Sequence, residues 1–101
     1  SIKMKPSMEN NMPLLSSDAN LKIHILERKD DITNYQIKKE LENLIEERFY
    51  DMFEQAQTNK TDIFGFGQHF RNLIPYQELK DWREEYYPNL KVNFQVHVSL
   101  Q

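Results

Sequence analysis

Residues 90–100 alternate strictly between apolar and polar side chains, and this pattern constrains the fold more than any other in the chain. The apolar positions are Leu90, Val92, Phe94, Val96, Val98 and Leu100. The positions between them hold Lys91, Asn93, Gln95, His97 and Ser99. A period of two is typical of a β-strand that buries one face. The rest of the chain must therefore supply a layer that covers this apolar face.

A second alternating run predicts another strand earlier in the chain. Its apolar side chains are Leu21, Ile23 and Ile25, and its polar side chains are Lys22 and His24. The charged run 27–31 follows directly and ends the pattern. We expect one face of this strand to join the same core as the terminal strand.

The first residues give a weaker strand signal. Ile2, Met4 and Met8 alternate with lysines, but Pro6 cannot donate a backbone hydrogen bond. Any strand here is therefore confined to a sheet edge or to a short stub. Residues 9–20 are rich in Asn, Ser, Pro and Asp, and this composition predicts a loop or linker.

A long amphipathic helix is predicted in the middle of the chain, with one apolar stripe over about six turns. The stripe holds Ile37, Leu41, Leu44, Ile45, Phe49, Met52, Phe53 and Ala56. Thr33 and Gln36 fit a capping box, Ile32 and Ile37 fit a hydrophobic staple, and the helix should end near Thr58. Such a helix is roughly 33 Å long, which is enough to cover the terminal strand.

Two shorter helices are expected between the long helix and the terminal strand. Asp62 can cap the first, which ends before Pro75, and the second begins near Tyr76. The apolar positions are Ile63, Phe66, Phe70, Leu73 and Ile74 in the first, and Leu79, Trp82 and Tyr86 in the second. The predicted order is β-β-α-α-α-β. We therefore expect an α+β domain with an antiparallel or mixed small sheet and all three helices packed on one face.

Composition excludes several classes of site. The chain has 101 residues, 16 acidic against 13 basic side chains and no cysteine. Disulfides, thiol nucleophiles and Cys-ligated metals are therefore excluded. No Lys/Arg run exceeds two residues, so a strong electrostatic case for nucleic-acid binding is missing. No apolar run approaches the roughly 18 to 20 residues needed to cross a bilayer.

We expect residues 1–101 to form a single domain. Because the chain lacks an initiator Met and ends inside a strand pattern, we also expect it to be excised from a longer protein.

Both glycines of the chain, Gly65 and Gly67, lie within one short segment. Each costs about 1 kcal/mol relative to Ala inside a helix, so their concentration indicates close backbone packing or a bend. A phosphate-binding G-x-G-x-x-G loop would need glycine where Phe70 stands. We therefore expect Gly65→Leu and Gly67→Leu to destabilise the domain by removing space for a neighbouring element.

No local pattern predicts catalysis or a metal site. The histidines are His24, His69 and His97, and none belongs to an H-x-x-x-H or H-E-x-x-H spacing. The long helix also carries many carboxylates, at Glu40, Glu42, Glu46, Glu47, Asp51 and Glu54. An acidic helix surface is usually a solvated face. We therefore expect no cofactor and no metal.

The polar side of the predicted strands is the candidate docking face. It consists of Lys22, His24, Lys91, Asn93, Gln95 and His97, together with Ser99. If all helices pack on the apolar side, this polar side remains uncovered. It then either faces water or docks another domain or subunit, and the sequence permits both.

The glycine segment and the residues after it carry a family resemblance. Residues 62–67 read Asp-Ile-Phe-Gly-Phe-Gly, and they are followed by Phe70, Pro75, Leu79, Trp82, the run Tyr-Pro-Asn at 87–89 and the alternating strand. Over roughly residues 20–100 the chain resembles the C-terminal domain of the Ger(x)C or GerAC-type spore germination lipoproteins. These proteins are the C subunits of bacterial nutrient germinant receptors.

The resemblance implies a non-enzymatic role in nutrient-triggered germination. Family members lie on the outer surface of the spore inner membrane, are held by an upstream lipid anchor, and act with integral-membrane A and B subunits. It implies no catalytic residues. The lack of a long basic run separately argues against a nucleic-acid partner. The resemblance also implies that its matching residues are structural, and we extend this to a motif formed by Asp62, Gly65, Phe66, Gly67 and Trp82.

The alternative function is binding of a small-molecule germinant by this domain. That alternative predicts a pocket near Phe64, Phe66, Trp82 and Tyr86.

Overall fold

Three strands form one mixed sheet in the computed structural model, which describes residues 1–25 and 33–101. They are β1 (Ile2–Glu9), β2 (Met12–Ile23) and β3 (Lys91–Leu100), in the spatial order β1-β2-β3. β1 runs antiparallel to β2, whereas β2 and β3 are parallel. Because β2 and β3 are parallel, the chain must cross over between them, and the helical segments form this crossover. The predicted α+β class, the mixed sheet and the order of elements are confirmed.

The predicted loop at residues 9–20 is wrong, because most of this range belongs to β2, the central strand. Only Asn10 and Asn11 turn the chain, with φ of 53° and 63°. Two consecutive residues with positive φ between paired Glu9 and Met12 are typical of a tight type I′ hairpin turn. Pro13 is tolerated because it lies before the first residue of β2 that pairs with β3.

β1 is an edge strand, as Pro6 predicts. Ser1 exchanges two backbone hydrogen bonds with Asn20, at 2.8 and 3.1 Å. Alternation along an antiparallel ladder then places Pro6 where the backbone points away from β2. The missing N–H of Pro6 therefore costs no hydrogen bond within the sheet, and it removes one donor from the outer edge.

The long helix α1 spans Asn34–Thr58, close to its predicted bounds. The predicted capping box is confirmed: the Thr33 hydroxyl accepts from the Gln36 N–H at 3.1 Å, and the Gln36 side chain accepts from the Thr33 N–H at 3.0 Å. Ile32, the first residue of the predicted staple, and the charged run 27–31 lie outside the described residues.

The shorter helical segments are less regular than expected. A 3-10 helix spans Phe66–Phe70, α2 spans only Tyr76–Leu79, a π-helical turn spans Trp82–Tyr86, and a 3-10 turn spans Tyr87–Asn89. Phe66, Phe70, Ile74 and Trp82 are buried as predicted, whereas Ile63 and Leu73 are 58% and 44% exposed. The buried cluster consists of Leu15, Phe53, Phe66, Phe70, Ile74, Trp82, Tyr87 and Leu90.

Side chains of α1 bond to the backbone of the outer edge of β3. The N–H groups of Val98 and Val96 donate to the carboxylates of Glu42 and Glu46, at 2.9 and 3.0 Å. The Tyr50 hydroxyl accepts from the Phe94 N–H at 2.7 Å and donates to the Phe94 carbonyl at 3.2 Å. We call these four bonds the α1–β3 ladder.

The α1–β3 ladder forms because four residues of helix and two residues of strand have nearly the same length. Four residues of α-helix rise about 6.0 Å, and two residues of strand rise about 6.6 Å. Side chains at i, i+4 and i+8 of α1 therefore meet every second residue of an antiparallel strand. The expectation that all the carboxylates of α1 lie on a solvated face is wrong for Glu42 and Glu46: Glu42 is 7% exposed and Glu46 is half-buried.

The ladder also rotates α1 away from the orientation that its apolar residues predict. Phe53 and Ala56 are buried, whereas Leu44 and Met52 are 46% and 52% exposed. At about 100° per residue, Leu44 lies roughly 160° around the helix from Glu42. Because Glu42 occupies a buried position, Leu44 cannot.

We expect Glu42→Gln to lower the free energy of unfolding at pH 7 by about 1 kcal/mol, because a neutral acceptor bonds more weakly than a carboxylate. The Val98 N–H lowers the pKa of Glu42, and Lys39 at 3.6 Å acts in the same direction, against the opposing effect of burial. A lowered folded-state pKa gives stability that is present above the unfolded value, about 4.3, and lost as pH falls further.

The measurement is denaturant unfolding of both proteins between pH 7 and pH 3. The difference between wild type and Glu42→Gln should shrink as the pH falls. Glu47→Gln, an exposed neutral substitution on the same helix, is the control and should change stability little. A stability difference between wild type and Glu42→Gln that stays constant over the whole pH range would contradict a lowered pKa of Glu42 in the folded state.

Ser17 offers a test of core packing. It is 3% exposed on the covered side of β2, and its hydroxyl has no hydrogen-bond partner among the described residues. An unsatisfied buried hydroxyl costs about 1 to 3 kcal/mol. We therefore expect Ser17→Ala to raise the free energy of unfolding by about 1 kcal/mol, whereas Ser7→Ala on an exposed position should leave it unchanged. A lower stability for Ser17→Ala would show that the hydroxyl is bonded.

Candidate functional site

No residue in the described ranges 1–25 and 33–101 covers the side of the sheet opposite α1, and we call this side the open face. Cross-strand pairing places fifteen side chains on it: Lys3, Lys5, Ser7, Glu9, Met12, Leu14, Ser16, Asp18, Asn20, Lys22, Lys91, Asn93, Gln95, His97 and Ser99. All are exposed except Leu14 and Ser16, which are half-buried. The open face is thus a polar surface built by alternation along three strands.

Five of the six predicted docking residues share this face, namely Lys22, Lys91, Asn93, Gln95 and His97. His24 lies beyond the end of β2 and is exposed. His97 pairs with Asn20, four positions before His24, which places the two histidines about 13 Å apart along the strands. They therefore do not form a joint site.

The prediction missed two lysines of the open face, Lys3 and Lys5. Their alternation with Ile2 and Met4 was visible in the sequence, but it does not reveal which strand β1 pairs with. In the structure Lys3 pairs with Asp18 and Lys5 pairs with Ser16. β1 thereby widens the candidate surface from two strands to three.

The open face is basic although the chain is acidic overall. Four lysines stand against two carboxylates, Glu9 and Asp18, which gives a formal charge of +2. The remaining described residues hold seven Lys and Arg side chains and eleven carboxylates, a formal charge of −4. Asp18 also lies 3.7 Å from the His97 imidazole. Charge is therefore separated between the sheet face and the rest of the domain.

The Asp62 carboxylate organises the segment that contains both glycines. One oxygen accepts from the Phe66 N–H at 2.8 Å. The other accepts from the Gly67 N–H at 2.8 Å and from the Trp82 indole N–H at 3.0 Å. Asp62 thus caps the 3-10 helix and also fixes the tryptophan ring. This arrangement holds the core together and presents no group to a ligand.

The two glycines are required for different reasons. A Cβ on Gly67 would lie 2.8 Å from the Trp82 Nε1 and 2.9 Å from its Cδ1, so the expected close packing is present there. A Cβ on Gly65 would meet only the Gln68 side chain at 3.5 Å, so the same explanation is wrong for Gly65. Gly65 instead has φ of 66°, in the left-handed region that favours glycine.

The aromatic residues predicted to line a ligand pocket are packed against one another. Phe66 and Trp82 are 2% and 8% exposed. Phe64 stacks on Phe66 at 5.2 Å between ring centroids, and Tyr86 stacks on Trp82 at 6.3 Å. These rings therefore serve as core side chains.

We expect Gly67→Ala to destabilise the domain by about 1 to 3 kcal/mol, because the methyl group displaces Trp82 and strains a packed core. Gly65→Asn is the matched variant, and it should be tolerated because Asn adopts positive φ more readily than other residues. The test is thermal unfolding together with the fluorescence of Trp82, the only tryptophan of the chain. Equal melting temperatures for wild type and Gly67→Ala would contradict the packing argument.

Comparisons with known proteins identify the family. The family model described as "Spore germination B3/ GerAC like, C-terminal" matches residues 1–101. The fold is also similar to the crystal structure of the GerBC protein, with a TM-score of 0.84 at 19% sequence identity, covering 98% of this chain and 33% of that one. The chain thus spans about a third of the length of GerBC. No curated protein matches it. The chain belongs to the C-terminal family of the spore germination B3/GerAC-like proteins.

Proposed function

We propose that this chain is a non-enzymatic protein-interaction domain of a spore germinant receptor C subunit. In this role it docks the integral-membrane A and B subunits through the open face, and nutrient-triggered germination needs that contact. Family membership supports the receptor assignment. The open face supports the choice of surface, because three adjacent strands present exposed polar side chains there.

The single observation that carries this choice is that one face is open while the outer edge of β3 is occupied and that of β1 is interrupted. Pro6 removes one donor from the outer edge of β1. The α1–β3 ladder satisfies the outer edge of β3. Strand addition, a common mode of peptide recognition, needs a free edge. The open face therefore remains as the broad surface of the sheet that a partner can contact.

The proposed location is the outer surface of the spore inner membrane, with a lipid anchor upstream of this domain. Within residues 1–25 and 33–101, no helix combines the length and apolar content needed to cross a bilayer. An upstream anchor would leave the sheet and helices described here outside the bilayer, where the open face can meet another subunit.

The alternative role, binding of a small germinant, finds less support. The four aromatic side chains expected to line its pocket pack on one another. Burial of Phe66 and Trp82 leaves them unavailable to a ligand without rearrangement of the core. A nutrient-dependent rise in melting temperature would nevertheless favour this role over docking.

Charge reversal on the open face tests the proposed function. The full-length parent protein is captured by a tag from detergent-extracted spore inner membranes, and the A and B subunits are detected with antibodies. We expect Lys22→Glu combined with Lys91→Glu to reduce their co-capture several-fold, because both lysines lie on the docking surface. Lys80→Glu, an exposed lysine outside the sheet, is the matched control and should retain co-capture.

Undiminished co-capture with the double variant would place the interface elsewhere in the parent protein and contradict docking through the open face. Complete absence of both subunits from the wild-type capture would contradict the receptor role itself.

A further inference from the structure

We propose that the open face recognises an acidic protein surface, in a weak contact that depends on salt concentration. This inference rests on the proposed docking role and adds the chemistry of the partner. It is carried by the lysines of β1, β2 and β3, which the topology brings onto one face.

Charge separation is the first step of the argument. The open face has a formal charge of +2, whereas the other described residues have a formal charge of −4. The carboxylate nearest the centre of the face, Asp18, has Lys3 as its cross-strand neighbour and His97 at 3.7 Å. Lys3 is therefore the cationic cross-strand neighbour of Asp18, and the four lysines outnumber the two carboxylates of the face. A surface of this sign attracts carboxylates and repels other basic surfaces.

The arrangement of the lysines is the second step. Lys5, Ser16 and Asn93 form one row across the three strands, and Ser7, Leu14 and Lys91 form the next row. Lys5 and Lys91 thus lie on the two outer strands, on either side of Ser16 and Leu14. Lys22 is near the opposite end, about 26 Å along the sheet from Lys91. A partner that spans the face meets lysines near both ends, and in the row between them Lys3 lies beside Asp18.

The groups between the lysines favour a protein partner over an anionic lipid surface. Asn93, Gln95 and Asn20 offer amide donors and acceptors with fixed directions, which suit backbone and carboxylate groups. Peripheral membrane binding usually adds exposed aromatic or aliphatic side chains that insert among the headgroups. Among the described residues of the open face, Met12 and Leu14 are the large apolar side chains, and Leu14 is half-buried.

The small net charge of the face predicts a weak contact. Its formal charge is +2, and exposed ion pairs contribute about 0 to 1 kcal/mol each. The open face therefore suits a transient contact or one part of a larger interface. Charged contacts of this kind weaken as ionic strength rises.

The inference is tested with the purified chain and two synthetic peptides of equal length, one with alternating Glu and Ser and one with Gln in place of Glu. Amide shifts in two-dimensional NMR spectra locate the binding surface. We expect the Glu peptide to shift amides of Lys5, Ser16, Lys91 and Asn93, and the Gln peptide to leave them unchanged. Raising NaCl from 50 to 300 mM should weaken binding at least tenfold.

Two double variants then distinguish binding at the open face from a general attraction of the Glu peptide to basic residues. Lys5→Glu combined with Lys91→Glu should weaken peptide binding at least tenfold, whereas Arg71→Glu combined with Lys80→Glu, exposed residues outside the sheet, should change it less than twofold. Thermal melts confirm that both double variants are folded. Equal losses in the two variants, or equal binding of the Gln peptide, would overturn the inference.

Two further results would show that the open face binds something other than an acidic protein surface. Tighter binding to vesicles containing phosphatidylserine than to the Glu peptide would replace the protein surface with a membrane. Concentration-dependent dimerisation that is lost in Lys5→Glu combined with Lys91→Glu would identify a second copy of the chain. If Lys22→Glu with Lys91→Glu abolishes A and B co-capture but the Glu peptide does not bind, the docking role stands and only the acidic chemistry fails.

Discussion

The outer edge of β3 carries backbone N–H groups that no neighbouring strand satisfies, and side chains of α1 satisfy them instead. Glu42, Glu46 and Tyr50 meet Val98, Val96 and Phe94 in turn. This contact fixes the direction of α1, its rotation and its distance from the sheet. Phe49 then stacks on Phe94 at 4.3 Å between ring centroids, and the aromatic core builds outward from that pair. Burying backbone donors without partners is costly, so the helix cannot slide along the strand without losing these bonds.

The two edges of the sheet also bear on how the domain can be recognised. A short mixed sheet of three strands would ordinarily present two edges to other chains, with the attendant risk of edge-to-edge association. Here proline limits one edge and a helix covers the other. We therefore propose that contacts through the sheet fall on its face, where side chains rather than backbone groups decide which partner binds. In that proposal, the lysines and amides of the face select the partner by charge and hydrogen-bond geometry.

Elements with a strong local signal could be predicted, and elements that depend on distant pairing could not. β3 and α1 followed from strict alternation and from the capping box at Thr33. The end of β2 at residues 21–23 was predicted as strand, but residues 12–20 were mistaken for a loop. The open side of that part carries Ser16, Asp18 and Asn20, and no local pattern reveals that a polar strand lies between two others. The buried position of Glu42 was missed because its partner is a backbone N–H 56 residues away. The predicted docking residues of β2 and β3 followed from the alternation of polar and apolar side chains. Placing Lys3 and Lys5 on the same face required knowing that β1 pairs with β2.

The α1–β3 ladder has a consequence for how sequences of this fold can diverge. The helix contributes specific side chains at positions 42, 46 and 50, but β3 contributes only N–H and carbonyl groups. Every amino acid except proline supplies those groups. Apart from proline, substitution in β3 therefore leaves the bonds that orient α1 in place. A scaffold fixed in this way can keep its geometry while many of its residues change, and a fold similar to GerBC with a TM-score of 0.84 at 19% identity agrees with this.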